Sequence, residues 1–430
     1  MINKRKFKKT EIGFIPEDWD VKSLNDIITK LGDGLHGTPK YDDNGQFYFI
    51  NGNNLVNDKI KITPNTKKCS EGEFKKYKKT LNNRTLFVSI NGTLGNISLY
   101  NNEKIILGKS VCYFSVKDEF NLLYIKYVLK NKYFQYYIWN NATGTTIKNV
   151  SLKQMREFKF CIPSDRHEQQ AIAKILSDLD EKIELNKKMN QTLEEIGKTL
   201  FKRWFVDFEF LNEKGEPYKS SGGEMVYNEE LKKEIPKGWS VDKLGTKLKT
   251  ILGGTPSTIN KNYWDGNIPW INSGKINEYR VLNPTEYITK EGLYNSATKL
   301  VPKGTTLIAI TGATLGQVSL NEIDLCFNQS VVGILESDDL KKEFIYPWIN
   351  YNIEQIINNK TGGAQQHINK QVVDFSDLLI PNRKILDNYY GLIKFIYNNI
   401  SINIKEIDNL TQIRDSLLPK LMSGKIRVKY

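Results

Sequence analysis

The sequence predicts an α+β protein made by tandem duplication. Two domains of mixed strands and short helices are each followed by one long helix, and the two long helices pair as an antiparallel coiled coil about an internal pseudo-two-fold axis. Three observations carry this reading. Two stretches of about forty residues show uninterrupted heptad seams. Local motifs recur 217 to 221 residues apart along the chain. The strand-like runs between them come in the same order in both halves, the mark of a repeat.

The first long helix is predicted from Asp165 to about Phe205. Asp165-Arg-His-Glu168 sets an acceptor side chain three residues before a glutamate, the pattern of a capping box. From there Ile172, Leu176, Leu179, Ile183, Asn186, Asn190, Leu193, Gly197, Leu200 and Trp204 recur at alternating steps of four and three. A rod of about 60 Å cannot cover such a stripe alone. Its partner lies in the same chain. Tyr389, Ile393, Ile396, Ile400, Asn403, Ile407, Leu410, Arg414, Leu417 and Leu421 fall on the same steps. Asn186 and Asn403 take equivalent seam positions, where a polar residue costs stability but fixes register.

The repeat extends in front of each helix. Ile15-Pro-Glu-Asp-Trp19 returns as Ile235-Pro-Lys-Gly-Trp239, Thr38-Pro39 as Thr255-Pro256, and Ile50-Asn51 as Ile271-Asn272. Thr93-Leu-Gly95 returns as Thr314-Leu-Gly316, Thr143-Gly144 as Thr361-Gly362, and Ile162-Pro163 as Ile380-Pro381. Each unit opens on its Pro-Trp segment and a short amphipathic stretch, Val21–Lys30 or Val241–Ile251. A Gly-rich polar turn follows, Gly32–Pro39 or Gly253–Thr258. Strands are predicted at Phe47–Ile50, Leu86–Ile90, Ile105–Leu107 and Val111–Val116, with counterparts at Ile268–Asn272, Thr306–Thr311 and Val331–Leu335. One helix, Leu122–Trp139 or Lys341–Asn358, closes the globule, and an Ile-Pro strand leads into the long helix. The expected boundaries are a first domain over 1–163, a long helix over 164–208, a connector over 209–232, a second domain over 233–381, a second long helix over 382–422 and a tail over 423–430.

Composition narrows the class. Of 430 residues, 39% are hydrophobic and 26% charged, the balance of a soluble globular protein. No run of 18 apolar residues occurs, and no apolar core follows the basic start Met1–Thr10. Neither a membrane span nor a signal peptide is expected, and the expected location is the cytoplasm. Cys69, Cys112, Cys161 and Cys326 are scattered. With only His36, His167 and His367 beside them they offer no metal-ligand spacing, so no metal site is expected. The net charge of +13 suits a polyanion, nucleic acid foremost.

No catalytic residue can be named. The phosphate-loop pattern GxxxxGK[ST] is absent. Asn283-Pro-Thr-Glu286 lacks the second proline and the aromatic of an amino-methyltransferase motif. The carboxylates and lysine of Pro16–Lys22, faintly those of a metal nuclease, are not kept in Pro236–Asp242. What remains is binding chemistry. Lys75, Lys76, Lys78 and Lys79 crowd a stretch from Lys59 to Arg84 that also holds Phe74 and Tyr77, and such a stretch can neutralise phosphates. Base edges are read by Asn, Gln, Ser, Thr, His, Lys or Arg on short loops. In the first half these are His36, Thr38, Lys40 and Tyr41, then Asn51 and Asn53, then Thr145, Thr146 and Lys148. In the second they are Thr255, Ser257 and Asn260, then Asn272, Ser273 and Lys275, then Gln365, Gln366 and His367. The competing reading is structural, with the lysines as a solvated face and the Gly-Asn and Gly-Ser pairs as turns.

Several stretches carry a family likeness. They are Ile235-Pro-Lys-Gly-Trp239, Gly253-Gly-Thr-Pro-Ser257, Tyr263-Trp-Asp-Gly-Asn-Ile-Pro-Trp-Ile271 and Leu200-Phe-Lys-Arg-Trp-Phe-Val-Asp-Phe208. With the duplicated plan, they make the whole chain resemble the DNA-specificity subunits of Type I restriction-modification systems. Ile162-Pro-Ser-Asp-Arg-His-Glu-Gln-Gln170 is similar to the family's Pro-Pro-Leu-x-Glu-Gln lead into the helix, with Ser164 replacing the second proline. Ile380-Pro-Asn-Arg-Lys-Ile-Leu386 lacks the Glu-Gln pair. The resemblance implies two target-recognition domains, each reading one half of a bipartite, asymmetric site on double-stranded DNA. It implies that the helices set the unread spacer and dock two methyltransferase subunits. Those subunits bind S-adenosylmethionine and methylate adenine, while restriction subunits use ATP and Mg. The chain is then non-catalytic and binds no cofactor of its own. Two other readings stay open: the specificity module of a modification-only or phage-defence complex, and a coiled-coil adaptor without a DNA role.

Overall fold

The computed structural model describes residues 6–358 and 367–429. Gln365 and Gln366, the Thr361-Gly362 pair and the last residue of the tail lie outside the described residues. The chain divides into two compact units, Met1–Glu184 with Asn409–Tyr430, and Leu185–Asp408. The division falls inside both long helices.

In the first unit, strand Trp19–Ser23 pairs antiparallel with Lys159–Pro163, with Trp19 opposite Pro163. The main sheet runs in the order Thr93–Leu99, Thr85–Asn91, Val111–Val116, Ile28–Asp33, all neighbours antiparallel. A smaller sheet sets Ile105–Leu107 parallel to Phe47–Ile50, and Lys68–Cys69 antiparallel to it. Side chains alternate across a strand. Leu86, Val88 and Ile90 therefore meet Tyr124, Tyr127, Phe134 and the long helix's Ile172 and Leu176 on one face. Phe87, between them, packs with Ile50, Ile105 and Leu107 on the other. Cover on both faces is why this strand reads as a continuous apolar run.

The second unit repeats the plan. Ser240–Lys243 pairs with Asp377–Ile380, and the main sheet runs Thr250–Leu252, Val331–Ile334, Thr306–Ala309, Val318–Asn321, Arg280–Val281. The small sheet sets Trp264–Ile271 parallel to Cys326–Phe327 and antiparallel to Glu286–Ile288.

Two expectations need correction. The single helix Leu122–Trp139 is two, Leu122–Lys130 and Lys132–Asn141, because Asn131 turns out of the helix and its side chain caps the second one by accepting from the Tyr133 N–H. Its counterpart Lys342–Asn358 is unbroken although it contains Pro347. Pro347 leaves the Glu343 carbonyl without its helical donor, and the buried Tyr389 hydroxyl donates to that oxygen at 3.2 Å. The Gly-rich stretches are not free polar turns. Gly32 lies inside strand Ile28–Asp33, opposite Tyr113, and a Cβ at Gly34 would run into the carbonyl oxygens of Leu107 and Gly108. Gly253 stands in the same relation to the carbonyls of Phe327 and Asn328. Here glycine lets one backbone lie against another.

The connector is built into the second unit's core. Phe210 stacks on Tyr218 and Trp239 at 4.6 and 5.3 Å, and strand Met225–Asn228 pairs with Lys233–Pro236. The tail packs Ile426 and Val428 on the first unit's core.

The long helices are Arg166–Phe205 and Arg383–Met422, forty residues each. They pack antiparallel within each unit. In the first, Ile172 and Leu176 share a core with Leu417 and Leu421, and Asp180 bonds Arg414 at 2.8 Å. In the second, Gly197 faces Ile393 and the Trp204 and Tyr389 rings lie 5.7 Å apart. Ile172, Leu176, Ile183, Asn186, Ile393, Ile400 and Asn403 are buried; Leu179, Leu193, Leu200, Ile396, Ile407, Leu410 and Leu417 are half-buried. The Asn403 amide donates to Asn190 at 2.9 Å and the Asn186 amide to Glu406 at 2.8 Å, so each seam asparagine finds a polar partner on the opposite helix.

Candidate nucleic-acid interface

Sheet topology gathers the loops. In the first domain Thr85–Asn91 and Ile28–Asp33 end, and Thr93–Leu99 and Val111–Val116 begin, at one edge of the antiparallel sheet. The parallel strands Phe47–Ile50 and Ile105–Leu107 end there too, with the Gly108 N–H donating to the Ile50 carbonyl at 2.8 Å. The loops leaving these ends make one rim. Gly92 N–H donates to the Lys148 carbonyl at 3.0 Å, and the Asn91 and Asn149 side chains bond at 3.1 Å. The rim thus holds His36, Asn51, Asn53, Thr145, Thr146 and Lys148 together, and all but Asn51 are exposed. Asn51 has a fold role: its side-chain oxygen accepts from the Ser110 hydroxyl at 3.1 Å. His36 Nε2 lies 2.6 Å from Asp33 Oδ2.

Thr38 is exposed beyond the rim, and Lys40 and Tyr41 lead away to another surface. The Lys40 N–H donates to Glu73 at 3.0 Å, and Tyr41 bridges Cys69. There helix Glu71–Tyr77 packs Phe74 and Tyr77 on Phe49, Cys69 and Ile106. Its outer face and the residues after it carry Lys75, Lys76, Lys78 and Lys79. Lys75 pairs with Glu71 at 2.8 Å, Lys76 lies over the Tyr77 ring at 4.8 Å, and Lys79 over Tyr113 at 6.0 Å. Arg84 does not belong to this face. Its guanidinium donates to the carbonyls of Val116, Lys117 and Phe120 and is spent on the fold.

The second domain builds an equivalent rim. Asn328 N–H donates to the Ile271 carbonyl at 3.1 Å, Ile310 N–H to Ser330 at 2.9 Å, and His367 bridges Thr311. Thr255, Asn272, Ser273 and His367 meet there, and the Thr255 hydroxyl donates to Gln329 at 2.6 Å. Asn272 and Asn260 cap short turns by accepting from Gly274 and Asn262 N–H, at 2.9 and 3.1 Å. Lys275 pairs with Glu278 at 2.8 Å. Ser257 is exposed, in a loop whose backbone oxygen accepts from Trp264 Nε1 at 3.1 Å. Sequence reasoning missed Lys109 and Gln329, exposed at matching tips of the two rims. The repeated signal was Lys109-Ser-Val111 against Gln329-Ser-Val331.

The first domain is tied to its helix segment by enclosed charge. In the first unit Asp180 accepts from the Tyr127 hydroxyl at 2.9 Å and pairs with Lys130 at 3.3 Å and Arg414 at 2.8 Å, while Asp58 pairs with Lys126 and Lys130 at 3.2 and 2.9 Å. Burial pushes the Asp180 carboxyl up, but the Lys130 charge, the Arg414 and Tyr127 hydrogen bonds and Lys126 outweigh it, and its pKa is lowered. Glu168 serves the same unit. Its carboxylate receives Trp19 Nε1 at 3.3 Å and pairs with Arg427, which also holds Asp18 at 2.6 Å.

Among the described residues no group of three His, Cys, Asp or Glu could hold a metal, and no helix is long and apolar enough to cross a membrane. Burial pushes the Cys161 and Cys326 thiols up to about 11, unsuited to nucleophilic work at neutral pH.

A rim of short polar loops in each domain of a duplicated scaffold, with long helices paired within each unit, defines a tandem-repeat protein with two like domains. The Type I restriction modification DNA specificity domain matches the chain twice, over residues 16–195 and 236–411, and the chain belongs to that family. It is 29% identical over 441 aligned residues to the Type I restriction enzyme MjaIX specificity subunit of Methanocaldococcus jannaschii, covering 98% of this chain and 97% of that one. It is 26% identical to the HindI specificity subunit of Haemophilus influenzae over 65% of this chain and 72% of that protein. The crystal structure of a Type I S subunit from M. genitalium shares the fold, with a TM-score of 0.59 at 18% identity over 97% of this chain and 98% of that one.

Proposed function

We propose that this chain directs a Type I restriction-modification complex to a bipartite, asymmetric DNA sequence, each rim reading one half. What supports this reading above all is that equivalent loop positions carry different side chains. Lys109 stands in one rim where Gln329 stands in the other, and Asn53 where Gly274 or its neighbour Ser273 stands. Such groups have the donors and acceptors to distinguish base edges, each good pair contributing about 1–3 kcal/mol of discrimination. The paired helices fix the unread spacer and dock two methyltransferase subunits. In this reading S-adenosylmethionine and adenine methylation belong to those partners, ATP and Mg to restriction subunits, and the chain works on cytoplasmic DNA without chemistry of its own.

The test is modified-base sequencing. The chain is co-expressed with its neighbouring methyltransferase subunit in a host lacking adenine methylation. One gapped, asymmetric motif with methyl-adenine in both halves is the expected result. A soluble complex that leaves the DNA unmodified would favour a protein-binding adaptor.

A further inference from the structure

The two recognition domains differ in charge far more than in fold. Residues 1–163 hold 27 Lys and Arg against 15 Asp and Glu, a net +12, whereas residues 233–381 hold 15 of each. Nearly all of the chain's +13 therefore sits in the first domain. We propose, resting on the DNA-specificity reading above, that the two domains grip DNA by different physics. The first carries the ionic, salt-sensitive part of the affinity through a lysine face on the phosphate backbone. The second engages its half-site with almost no ionic contribution.

The lysine face is built for that task. Lys67 lies over the Tyr41 ring at 5.8 Å, Lys76 over Tyr77 at 4.8 Å and Lys104 over Phe47 at 6.0 Å, while Phe47 itself stacks on Phe74 at 4.1 Å. An aromatic ring steadies a lysine stem without cancelling its charge. Among the described residues no carboxylate forms an ion pair with Lys67, Lys76 or Lys78, and all three are exposed. Ordered, unneutralised cations on one face are what releases counterions from a duplex.

The same place in the second domain is made of different material. Its small sheet and short helix Lys290–Tyr294 leave Tyr287 and Tyr294 in solvent, Tyr294 80% exposed, and Ile259 stands 92% exposed on the loop over Trp264. Uncharged side chains there can contact sugars, base edges or thymine methyls, which release no counterions.

The experiment measures affinity against salt. The assembled complex of chain and methyltransferase subunits is titrated with a duplex carrying the mapped site, over a series of KCl concentrations. One variant carries Lys67→Gln, Lys76→Gln and Lys78→Gln; the other carries Lys261→Gln, Lys290→Gln and Lys299→Gln, all exposed in the second domain. The first is expected to flatten the slope of log affinity against log salt by about 2 to 3 units, near 0.9 per phosphate contact. The second is expected to change it by less than about one unit, and both keep the native circular dichroism and sequence preference. Equal flattening by the two variants would overturn the asymmetry. An unchanged slope in the first, with specific binding intact, would take its lysine face off the DNA. A complex without any sequence preference would overturn the specificity reading itself, and this proposal with it.

Discussion

Arg280 is an enclosed charge in the second unit, with its guanidinium over the rings of Tyr346, Tyr279 and Tyr397 at 4.5, 5.2 and 5.3 Å. Glu194 lies 3.4 Å away and Glu322 3.8 Å, and Glu322 also holds Lys303 and the Ser401 hydroxyl at 2.8 Å each. Removing the cation takes the partner from the half-buried Glu194, leaves Lys303 alone against the buried Glu322 and empties the space among three tyrosine rings. Arg280→Met is expected to cost about 3–5 kcal/mol in urea unfolding of the full chain. Arg280→Lys should recover only part of this, because an ammonium cannot lie flat on three rings. A loss within experimental error for the methionine variant would remove Arg280 from that role. In the first unit the lowered pKa of Asp180 sets a pH dependence. Its ion pairs contribute fully above the ordinary aspartate value of 3.8, and that stability is lost as pH falls below 3.8 through the folded value. Near-UV circular dichroism against pH should show an acid transition, shallower in Asp180→Asn. An identical acid slope in that variant would assign the transition elsewhere. At this scale sequence reading was ambiguous for a physical reason. Asn51, Asn260 and Asn272 have the chemistry to read a base and equally the chemistry to cap a turn, and the folded chain puts their side chains to work in turns and loop bonds.

Among elements, the long helices were the most legible, because a heptad seam is a local pattern written many times over. Of the helices that close the two globules, Lys342–Asn358 was legible and the break at Asn131 was not. Asn131 breaks one that has no proline and Pro347 leaves the other whole, since the Tyr389 hydroxyl from the second long helix meets the orphaned carbonyl. No local rule foresees a donor 46 residues away. If the paired helices act as the ruler, four added residues in each, close to one turn, keep the seam with only a local unwinding. Modified-base sequencing should then show a longer spacer and both half-sites unchanged. Altered half-sites with the old spacer would defeat the ruler idea.

At the scale of the molecule, duplication followed by divergence is the dominant fact. Replacing residues 1–160 by the first domain of another family member is expected to change one half-site and preserve the other, read by the same sequencing. A change in both halves would show that the domains do not read independently. Retained folding depends on the incoming domain supplying cations against Asp180 in place of Lys126 and Lys130.

The order of elements, the repeat, the helix seams and the family likeness were all readable from the chain, since each rests on spacing and residue type along a line. The composition of each rim was not. A rim forms where six strand ends come level, and that depends on sheet order and register across more than a hundred residues. Hence His36, Asn53 and Thr145 could be named loop by loop but not as neighbours, while Lys109 and Gln329 come to the matching tips of both rims only in the folded sheet.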